Sequence, residues 1–463
     1  MLKHGALEMK IRFSFVIGLF SFFIFLMSCQ RSTEPLPANN RPPIKKVHLT
    51  AEDASCTEAW LKLTAENIEK DSLIYQLSLY RNEQAIDTML FSGKDTLLYD
   101  SALKPSKSYM YFARIFTDSQ LTAISDTVTV TTMDTTSHDF EWQSWEFGGV
   151  HGSSSFNDVA IINENDIWAV GEIHTAETDQ YDSSGNWVQP YNAAHWDGEK
   201  WELKRIYFYL CPNGTYGSTY PIETVFAFDK NNIWFSEGGS FVRWDGVKFK
   251  HDCSINKILT GGIRKIWGES SSDFYVVGTN GLIAHYDGKE WRIIESGTNL
   301  KIQDIYGAGN DKNGTPIVCA IASNPFTADG NAVIEIKKTG AFFQPNGGLP
   351  YSLTGIWSPN GKRWYLSGDG IYRNYGFSKN WQAIKGVPAI YSEAIRGTAY
   401  NNIFVVGHFG LLLHWNGYSW KDFTDKNVVY YGLAVKGNTI VAVGTVPEGI
   451  VAGPAAILIG KIK

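Results

Sequence analysis

Histidine recurs at one position of a repeated heptapeptide, and this is the first place where the sequence could hold chemistry. The repeat reads HWDGEKW at 195–201, RWDGVKF at 243–249, HYDGKEW at 285–291 and HWNGYSW at 414–420. Histidine is a versatile acid, base and metal ligand near neutral pH. A catalytic histidine is usually unique, however, and copies in separate repeat units lie far apart. We therefore expect His195, His285 and His414 to have a structural role.

Other residue types with catalytic potential form no recognisable constellation. The sequence contains no HExxH, GxSxG, P-loop or dinucleotide-binding motif in a suitable context. Carboxylates such as Asp158, Glu164 and Asp166 are expected mostly in turns, where they hydrogen-bond to the local backbone. The five cysteines match no zinc-binding spacing. Cys211 and Cys253 could be bridged, but free buried thiols fit equally well, and we expect no catalytic residue, cofactor or metal.

A different kind of site is suggested by two long loops, 172–192 and 211–223, which are rich in aromatic and polar residues. Such residues suit the recognition of a sugar or a peptide. The alternative is that their aromatic rings only pack the loops onto the rest of the fold. The candidate ligand-binding residues are Trp187, Tyr181, Tyr191, Tyr216, Tyr220, His174, Asp179 and Asp182.

The repeated heptapeptide predicts a β-hairpin. Asp-Gly and Asn-Gly are the preferred central pairs of a two-residue type I′ turn, in which both residues have positive φ. The aromatic residues that flank the turn, such as Trp196 and Trp201, are five positions apart and can pack against each other across the strand pair.

A second motif precedes each hairpin, as in NDIWAVG, which ends at Gly171, and NNIFVVG, which ends at Gly407. Related copies end at positions 278 and 407, which differ by 129, three times 43. Four short strands with a period near 40 are typical of a β-propeller. With the weaker copies included, seven units span residues 140–463.

The two ends of this region are expected to share one blade. The last unit has three strands, whereas FEWQSWEF at Phe140–Phe147 resembles a spare fourth strand before the first unit. Pairing them would close a seven-bladed ring without an open sheet edge. An open array, or a ring of six or eight blades, is the alternative.

The exceptions to the repeat are predicted to lie on one face. In a four-stranded meander, the loops between the second and third strands emerge on the same face as the loops between blades. Blade 1 has both of these loops enlarged, blade 4 adds SNPFTADGN from Ser323, and blade 7 adds TVPEGIVAGP from Thr445. Blades 7 and 1 are neighbours in a closed ring, so the long loops crowd one sector.

Residues 44–134 read as about ninety residues of short alternating strands, which predicts a β-sandwich. LKPSKSYMY at Leu103–Tyr111 resembles the L-x-P-x-x-x-Y-x-Y stretch of fibronectin type III domains. The resemblance implies that Tyr109 forms the tyrosine corner. Trp60 is displaced from the usual tryptophan of the second strand. Such a domain is most often a spacer.

The N-terminus predicts export and lipid attachment. Lys10 and Arg12 precede the apolar run of residues 13–27, which is too short for a typical membrane span but fits a signal peptide. LMSC resembles the lipobox of bacterial lipoproteins and implies that Cys29 is acylated. We expect a signal peptide at 1–28 and, since 29–43 is polar and rich in proline, a lipid-anchored tether there.

The composition favours an all-β protein that does not bind nucleic acid. The chain of 463 residues is 44% hydrophobic, 14% aromatic and only 19% charged, with 44 Gly and 16 Trp, as suits many strands and tight turns. The net charge of −6 and the absence of a basic run in the mature chain make a nucleic-acid partner unexpected.

Taken together, the motifs resemble those of bacterial surface lipoproteins in which a fibronectin type III-like domain precedes a seven-bladed propeller of DIWAVG…HWDG..W repeats. That resemblance implies no uniform activity. We expect a non-catalytic protein of the bacterial cell envelope, anchored to the membrane by its lipid on the periplasmic or the surface side, whose propeller face binds an envelope protein or glycan. The alternative is a polysaccharide hydrolase or lyase that acts at the loop-rich face.

The anchor can be tested by replacing Cys29 with serine. Because serine lacks the thiol that accepts the acyl chain, Cys29→Ser should incorporate no labelled palmitate and should leave the membrane fraction, since acyl chains contribute about 0.8 kcal/mol per buried CH₂ to membrane binding. Cys319→Ser serves as the control and should stay acylated. Palmitate incorporation into Cys29→Ser would show that the anchor lies elsewhere.

Overall fold

Short runs of β-branched and aromatic residues, separated by glycine-containing turns, form strands throughout the chain. The computed structural model describes residues 46–463 except 67–73, 118, 150–151, 212–213, 215–216, 325–329, 351, 377, 379, 425–426 and 450. Cys29 and the predicted segments 1–28 and 29–43 lie outside the described residues. The described part contains forty strands and three short 3₁₀ turns, at Ile255–Lys257, Thr279–Gly281 and His408–Gly410. The all-β prediction is therefore confirmed.

Two antiparallel sheets that share one apolar core make up the N-terminal part. The first sheet consists of β1 (Lys46–Ala54), β2 (Ala59–Glu66) and β5 (Asp95–Asp100). The second consists of β3 (Tyr75–Arg81), β4 (Gln84–Phe91), β6 (Ser108–Thr117), β7 (Gln120–Ile124) and β8 (Val128–Thr131). Leu61, Leu77 and Tyr111 are fully buried between them. The Tyr109 hydroxyl accepts a hydrogen bond of 2.9 Å from the backbone N–H of Lys104.

The rest of the described chain contains seven four-stranded antiparallel sheets. In chain order, sheet 1 consists of β10 (Ser155–Asn163), β11 (Asp166–Ile173), β14 (Tyr191–Trp196) and β15 (Trp201–Lys204). Sheet 2 consists of β18 (Thr224–Asp229), β19 (Asn232–Glu237), β20 (Ser240–Trp244) and β21 (Phe249–Asp252). Sheet 3 consists of β22 (Ile263–Ser270), β23 (Asp273–Gly278), β24 (Ile283–Tyr286) and β25 (Trp291–Ile293). Sheets 4 and 5 comprise β26 (Ile302–Asn310), β27 (Pro316–Ser323), β28 (Asn331–Lys337) and β29 (Gly340–Gln344); and β30 (Leu353–Trp357), β31 (Arg363–Gly368), β32 (Gly370–Tyr375) and β33 (Gln382–Ala383).

Sheet 6 consists of β34 (Ser392–Ala399), β35 (Asn402–Gly407), β36 (Leu412–Trp415) and β37 (Trp420–Asp422). Sheet 7 consists of β38 (Val429–Lys436), β39 (Thr439–Glu448), β40 (Val451–Ile462) and β9 (Phe140–Phe147). Sheet 1 also carries two small hairpins, β12 (Gln180–Tyr181) with β13 (Trp187–Val188), and β16 (Phe208–Tyr209) with β17 (Gly217–Ser218).

The first strands of the seven sheets contact one another in chain order, and β38 of the last sheet contacts β10 of the first. Phe156 and Ile167 of sheet 1 pack in one buried cluster with Val443 and Ile457 of sheet 7. The predicted spare strand β9 pairs with β40 along its whole length, from Phe140 opposite Ile462 to Phe147 opposite Ala455. A strand that precedes the first sheet therefore completes the last one. No helix among the described residues is long and apolar enough to cross a membrane.

The repeated hairpin forms as predicted, but its turn does not. Trp196 lies directly opposite Trp201, with ring centroids 5.5 Å apart, so the loop has four residues rather than two. Gly198 has positive φ, whereas Asp197 does not. The Asp197 carboxylate accepts hydrogen bonds of 2.9 Å from the N–H groups of Glu199 and Lys200, and this Asx geometry competes successfully with the type I′ turn. The type I′ prediction was therefore wrong.

The connections emerge on two opposite faces of the ring of sheets. We call the side that carries the loops between second and third strands and the loops between sheets the loop face; for example, Ile222 donates to Gly171 and His408 to Tyr391 through their backbones. We call the side that carries the two tight turns of each sheet the turn face. There, Gly198 approaches Asn165 closely, so the two turns of one sheet pack together.

The N-terminal sandwich docks on the turn face of sheets 5 and 6. Trp60 of β2 points away from the sandwich core and stacks on Tyr375, with ring planes 2° apart and centroids 4.9 Å apart. The side chain of Arg363 is buried, and its guanidinium carbon lies 4.2 Å from the centroid of the Trp60 ring. This contact explains the displaced position of Trp60 in the sequence: the ring fills an interface between domains instead of the sandwich core.

Glu58 is the charged centre of the same interface. Its carboxylate binds Arg363, accepts a 2.5 Å hydrogen bond from the Tyr99 hydroxyl and lies 3.1 Å from Arg373. Burial alone would raise the pKa of Glu58, but the two guanidinium groups and the tyrosine outweigh it and hold the pKa below its usual value. The carboxylate is therefore charged and fully compensated where it is buried.

The linker from sandwich to β9 is fastened to the turn face as well. Asn401 donates from Nδ2 to the carbonyl of Asp134 at 2.8 Å, and Thr136 and Asn416 exchange hydrogen bonds of 3.1 and 3.2 Å. The thiol of Cys56 lies so close to Gly417 that a side chain at that glycine would collide with it. The sandwich and the ring of sheets thus hold one relative orientation.

We predict that Glu58→Ala destabilises the chain by about 3–5 kcal/mol, because it leaves Arg363 buried without a counter-charge. Chemical denaturation would measure this loss against Glu199→Ala, which removes an exposed carboxylate and should stay within about 0.5 kcal/mol of the parent. The double variant Glu58→Met with Arg363→Met should recover much of the loss. Equal stability of Glu58→Ala and Glu199→Ala would contradict this account of the interface.

Candidate binding site on the loop face

A small hairpin projects from the first enlarged loop of sheet 1 and carries two of the predicted aromatic residues. Tyr181 of β12 and Trp187 of β13 are directly opposite each other, and their rings meet edge to face at 5.2 Å. Their exposed fractions are 71% and 49%. The two rings form a small contiguous apolar patch, the type of surface that marks interaction sites when it is extended by neighbouring apolar residues.

Asp182 shapes this hairpin. Its carboxylate accepts hydrogen bonds of 2.8 Å from the backbone N–H groups of Ser184 and Asn186, and it also contacts the Asn186 amide at 3.3 Å. These contacts, the backbone N–H of Asn186 first, lower the pKa of Asp182. Asp182 therefore presents the two rings instead of facing a ligand with a free carboxylate.

His174 and Asp179 form a pair at the base of the same loop. His174 Nδ1 lies 2.6 Å from Asp179 Oδ2, and His174 Nε2 lies 3.4 Å from Glu172 Oε1. The Thr178 hydroxyl donates to the same Asp179 oxygen at 2.7 Å. The imidazole also packs close to Gly152 in the connection from β9 to β10. Both predicted residues thus fix the loop, with their polar atoms committed to neighbours.

Gln189, which sequence reasoning missed, joins the two enlarged loops. Its Oε1 accepts hydrogen bonds from Thr219 N at 2.7 Å and Ser218 Oγ at 3.0 Å, and its Nε2 donates to the carbonyl of Gly217 at 3.2 Å. Arg205 donates to the Gln189 carbonyl at 2.8 Å. A glutamine in a loop gives no sequence signal for such a role, because the three residues that its side chain binds are 28 to 30 positions away.

Tyr191 and Tyr220 lie at the two sides of this junction. The Arg205 guanidinium covers the Tyr191 ring at 3.8 Å, and the Tyr191 hydroxyl bonds Glu177, so this ring is a packing element. Tyr220 is 44% exposed. Tyr216 lies outside the described residues. Tyr207 and Tyr209, which directly precede the second loop, add exposed rings that were not predicted. We call Tyr181, Trp187, Tyr207, Tyr209 and Tyr220 the aromatic shelf.

Neighbouring insertions reach the same face. In sheet 7, the predicted insertion is an extension of the β39–β40 hairpin, with Glu448 opposite Val451. The Gly453 carbonyl accepts a 2.9 Å hydrogen bond from Ser154 N, which directly precedes β10. The predicted proximity of the last and first units is therefore present. Residues 325–329 of the insertion in sheet 4 lie outside the described residues.

The centre of the loop face is a polar mouth that the sequence reading did not anticipate. In six of the seven first strands, the pairing with the second strand skips one residue near the start, which marks a β-bulge. Bulges re-aim side chains and are common beside functional sites. The skipped residues are Asn157, Arg264, Gln303, Thr354, Glu393 and Tyr431.

Charges of both signs surround this mouth. Arg264 contacts Glu223 at 2.8 Å, and Glu393 contacts His408 at 2.9 Å. Burial, followed by the charge of Arg264, lowers the pKa of Lys301, and burial followed by Glu393 raises the pKa of Tyr431. Next to His408, Phe409 is 69% exposed with a φ of 52°, a backbone conformation that is costly for an aromatic residue.

Below the mouth, the first strands enclose a cavity of about 310 Å³ with two buried carboxylates. Asp158 lies 2.8 Å from Lys265, and Arg396 donates to both oxygens of Asp304 at 2.8 and 2.9 Å. Asp158 had been expected in a turn, but it lies in β10, and its other oxygen accepts from the Thr224 hydroxyl at 2.6 Å. These carboxylates link adjacent sheets, and each is already paired with a cation.

The repeated histidines bond to the first residue of the preceding strand. His195 Nε2 lies 2.9 Å from Asp166, His285 Nε2 lies 2.7 Å from Asp273, and His414 Nε2 lies 3.0 Å from Asn402. Each imidazole also stacks on an aromatic ring of that strand, at 4.3–4.4 Å. The three sites lie in sheets 1, 3 and 6 and form no common centre. Their role is structural, as expected.

Comparison with known proteins gives fold-level matches only. No protein-family model matches the chain, and no curated protein does. Among solved structures, it is similar to "YCF48 bound to D1 peptide" (14% identity, 70% of this chain and 97% of that chain, TM-score 0.49) and to the C-terminal WD40 domain of Sif2 (12%, 67% and 99%, 0.40). A third is a quinonprotein alcohol dehydrogenase-like protein from Bacteroides thetaiotaomicron (10%, 89% and 95%, 0.33). At these identities and TM-scores, no functional conclusion passes to this chain.

The buried His414 predicts a specific acid sensitivity. Burial, and then the proximity of His138, lower the pKa of His414 to about 3, far below its ordinary value near 6.5. The unfolded chain protonates this imidazole more readily than the folded chain does. The folded state therefore has its full stability above about pH 6.5 and loses stability as the pH falls toward 3.

We expect the free energy of unfolding of the parent to fall between pH 6.5 and 5 by up to about 1.4 kcal/mol per pH unit more than that of His414→Gln. Urea denaturation at several pH values measures this difference, before most carboxylates titrate. An equally steep pH dependence in His414→Gln would contradict the assignment.

Proposed function

We propose that the protein is a non-catalytic, lipid-anchored protein of the bacterial cell envelope, whose loop face binds an envelope protein or a glycan. The observation that carries this proposal is the exposed Tyr181–Trp187 pair, on a hairpin that the repeat itself does not need. Sheets 3 and 6 make the same connection with far shorter turns, Thr279–Gly281 and His408–Gly410.

We also propose that the seven sheets are the blades of a seven-bladed β-propeller and that residues 44–134 form a fibronectin type III-like domain. The cycle of contacts between first strands and the pairing of β9 with β40 support the ring. The two-sheet topology and the hydrogen bond from Lys104 to the Tyr109 hydroxyl support the sandwich assignment.

In this proposal the sandwich is a spacer that orients the loop face away from the membrane. The end of β1 contacts the turn face, where Lys362 binds the Glu52 carbonyl at 2.6 Å and Asn360 binds Asp53 at 2.8 Å. A nine-residue strand spans about 27 Å, so the beginning of β1, next to the tether, lies at the far end of the sandwich. The lipid and the loop face are then at opposite ends of the molecule.

The surroundings of the aromatic shelf fit recognition of a polar partner that has exposed apolar faces. Tyrosine and tryptophan supply contact area while losing little side-chain entropy, and they dominate many interfaces. The second loop continues from Tyr220 to Glu223, which contacts Arg264 at the mouth, so the chain leads directly from the shelf to the mouth. A peptide or an oligosaccharide could place rings or sugar faces on the shelf and charged or hydroxyl groups at the mouth.

Binding is favoured over hydrolysis by the state of the buried carboxylates. An acid–base pair needs one carboxylate free to accept a proton and another able to donate one. Asp158 and Asp304 are instead held by Lys265 and Arg396, and both also accept hydrogen bonds from neighbouring sheets. This arrangement suits ring stability.

The test is a glycan and protein array probed with the secreted, non-acylated chain. We expect the double variant Tyr181→Ala with Trp187→Ala to lose at least about tenfold in binding to the ligand identified by the parent, because truncating interfacial aromatic residues often costs more than 1 kcal/mol. Its melting temperature should stay close to that of the parent, since both rings are exposed. Asn192, at the end of the same loop, is left unchanged in this variant, because its buried amide donates hydrogen bonds to the carbonyls of Ile206 and Tyr220.

Tyr418→Ala is the matched control. Tyr418 is 62% exposed but lies in a turn of sheet 6 on the opposite face. It should bind like the parent. Undiminished binding by the double variant would exclude the shelf, and polysaccharide cleavage by the parent would contradict the non-catalytic assignment.

A further inference from the structure

Three side chains with soft-metal ligand atoms meet at the outer edge of sheet 2. Cys211 follows β16 in the second enlarged loop, His251 lies in β21, and Cys253 follows that strand directly. The structure joins Cys211 and Cys253, which are 42 positions apart in sequence, by a disulfide with a Cα–Cα distance of 5.7 Å. This decides between the two alternatives that the sequence left open.

The imidazole of His251 lies along this disulfide. Its Nδ1 is 3.5 Å from the sulfur of Cys253, and its Nε2 is 3.8 Å from the sulfur of Cys211. Tyr209 packs edge-on against the same ring at 5.8 Å and holds it in place. One ligand atom from each of the three residues lies within 4.8 Å of the other two, and all three residues are partly buried.

We propose that reduction of the Cys211–Cys253 disulfide creates a three-ligand site for a soft d¹⁰ cation, with Zn²⁺ as the representative ion. Two thiolates and one imidazole are a common zinc ligand set that leaves a fourth position open. Zinc–sulfur bonds of about 2.3 Å and zinc–nitrogen bonds of about 2.0–2.1 Å place tetrahedral ligand atoms roughly 3.5–3.8 Å apart. Both measured sulfur–nitrogen distances are near this range but involve different ring nitrogens, whereas one ligand atom from each residue lies within 4.8 Å of the other two. The imidazole must therefore shift slightly as the two sulfurs separate.

The chemistry balances with a dithiol as reductant. The dithiol supplies two electrons and two protons, the bond between the two cysteine sulfurs breaks, and the reductant becomes a disulfide. Zn²⁺ then displaces the two thiol protons into solvent, and the site with two thiolates is neutral. A monovalent d¹⁰ cation such as Cu⁺ would leave one negative charge, which distinguishes the two ions.

The position of this site gives it a consequence for the loop face. The disulfide connects the second loop, which carries Tyr220, to sheet 2, and a bound cation would restore this link after reduction. The loop would lose the link, and keep only its non-covalent contacts, when the site is both reduced and free of metal. Sequence spacing could not reveal this set, since Cys211 lies forty residues before His251 and the fold alone brings them together.

Equilibrium zinc binding by the intact secreted chain tests the proposal. The chain would be reduced with a phosphine, freed of reductant without oxygen, and titrated with Zn²⁺ against a chromophoric chelator. We expect one Zn²⁺ per reduced chain and none in the oxidised chain. Titration with Co²⁺ should produce thiolate-to-cobalt charge-transfer absorption, and a parallel titration with Cu⁺ establishes the preferred ion.

Variants separate a three-ligand site from simple thiol binding. Cys211→Ser and Cys253→Ser should each abolish stoichiometric binding, and His251→Ala should weaken it at least about tenfold. Cys319→Ser removes a fully buried free thiol and should bind like the parent. The proposal is overturned if the reduced parent binds no Zn²⁺, if His251→Ala binds as tightly as the parent, or if circular dichroism shows that reduction unfolds the chain.

Discussion

Pairing between β9 and β40 is the constraint on which the arrangement of the whole molecule depends. It adds Phe140–Phe147 to the edge of the last sheet, so that this sheet has four strands like each of the other six. Fourth strands run from the turn face to the loop face, so β9 must begin on the turn face. The segment that precedes β9 must therefore lie on the turn face, opposite the long loops, regardless of its own sequence.

The interface with the sandwich turns this topological requirement into a fixed orientation. Trp60, Glu58 and Arg363 combine ring stacking, a cation over an aromatic face and a buried ion pair in one place. A buried ion pair contributes little net stability compared with apolar residues of the same size, but removing one partner is costly. In the observed geometry Glu58 contacts both arginines and Tyr99 at once, and a shifted docking position would leave some of these buried polar groups without a partner. The linker hydrogen bonds follow that geometry.

Local features of the fold were predictable, whereas long-range ones were not. The hairpins, the spare strand and the structural role of His195 follow from patterns that repeat along the chain. The turn type was wrong because the Asp197 side chain supplies hydrogen bonds that a turn rule based on φ alone leaves out. Three features depend on partners far away in sequence: the interface position of Trp60, the placement of Asp158 in the cavity that the first strands enclose, and the junction at Gln189.

The difference between residues that repeat along the chain and residues that do not also indicates which residues to test for function. Many polar side chains of the repeats are already paired. The repeated histidines bond to an aspartate or asparagine of their own sheet, and Asp158 and Asp304 in the central cavity bind cations from sheets 3 and 6. Predicted site residues that share this property, such as His174, Asp179 and Asp182, hold loops in place. Tyr181 and Trp187 break the repeat and keep exposed surface, which is why they carry the proposed binding site. The long loops emerge where the seven sheets need only short connections, so they extend one sector without replacing any strand of a sheet, and the Cys211–Cys253 disulfide connects one such loop to sheet 2.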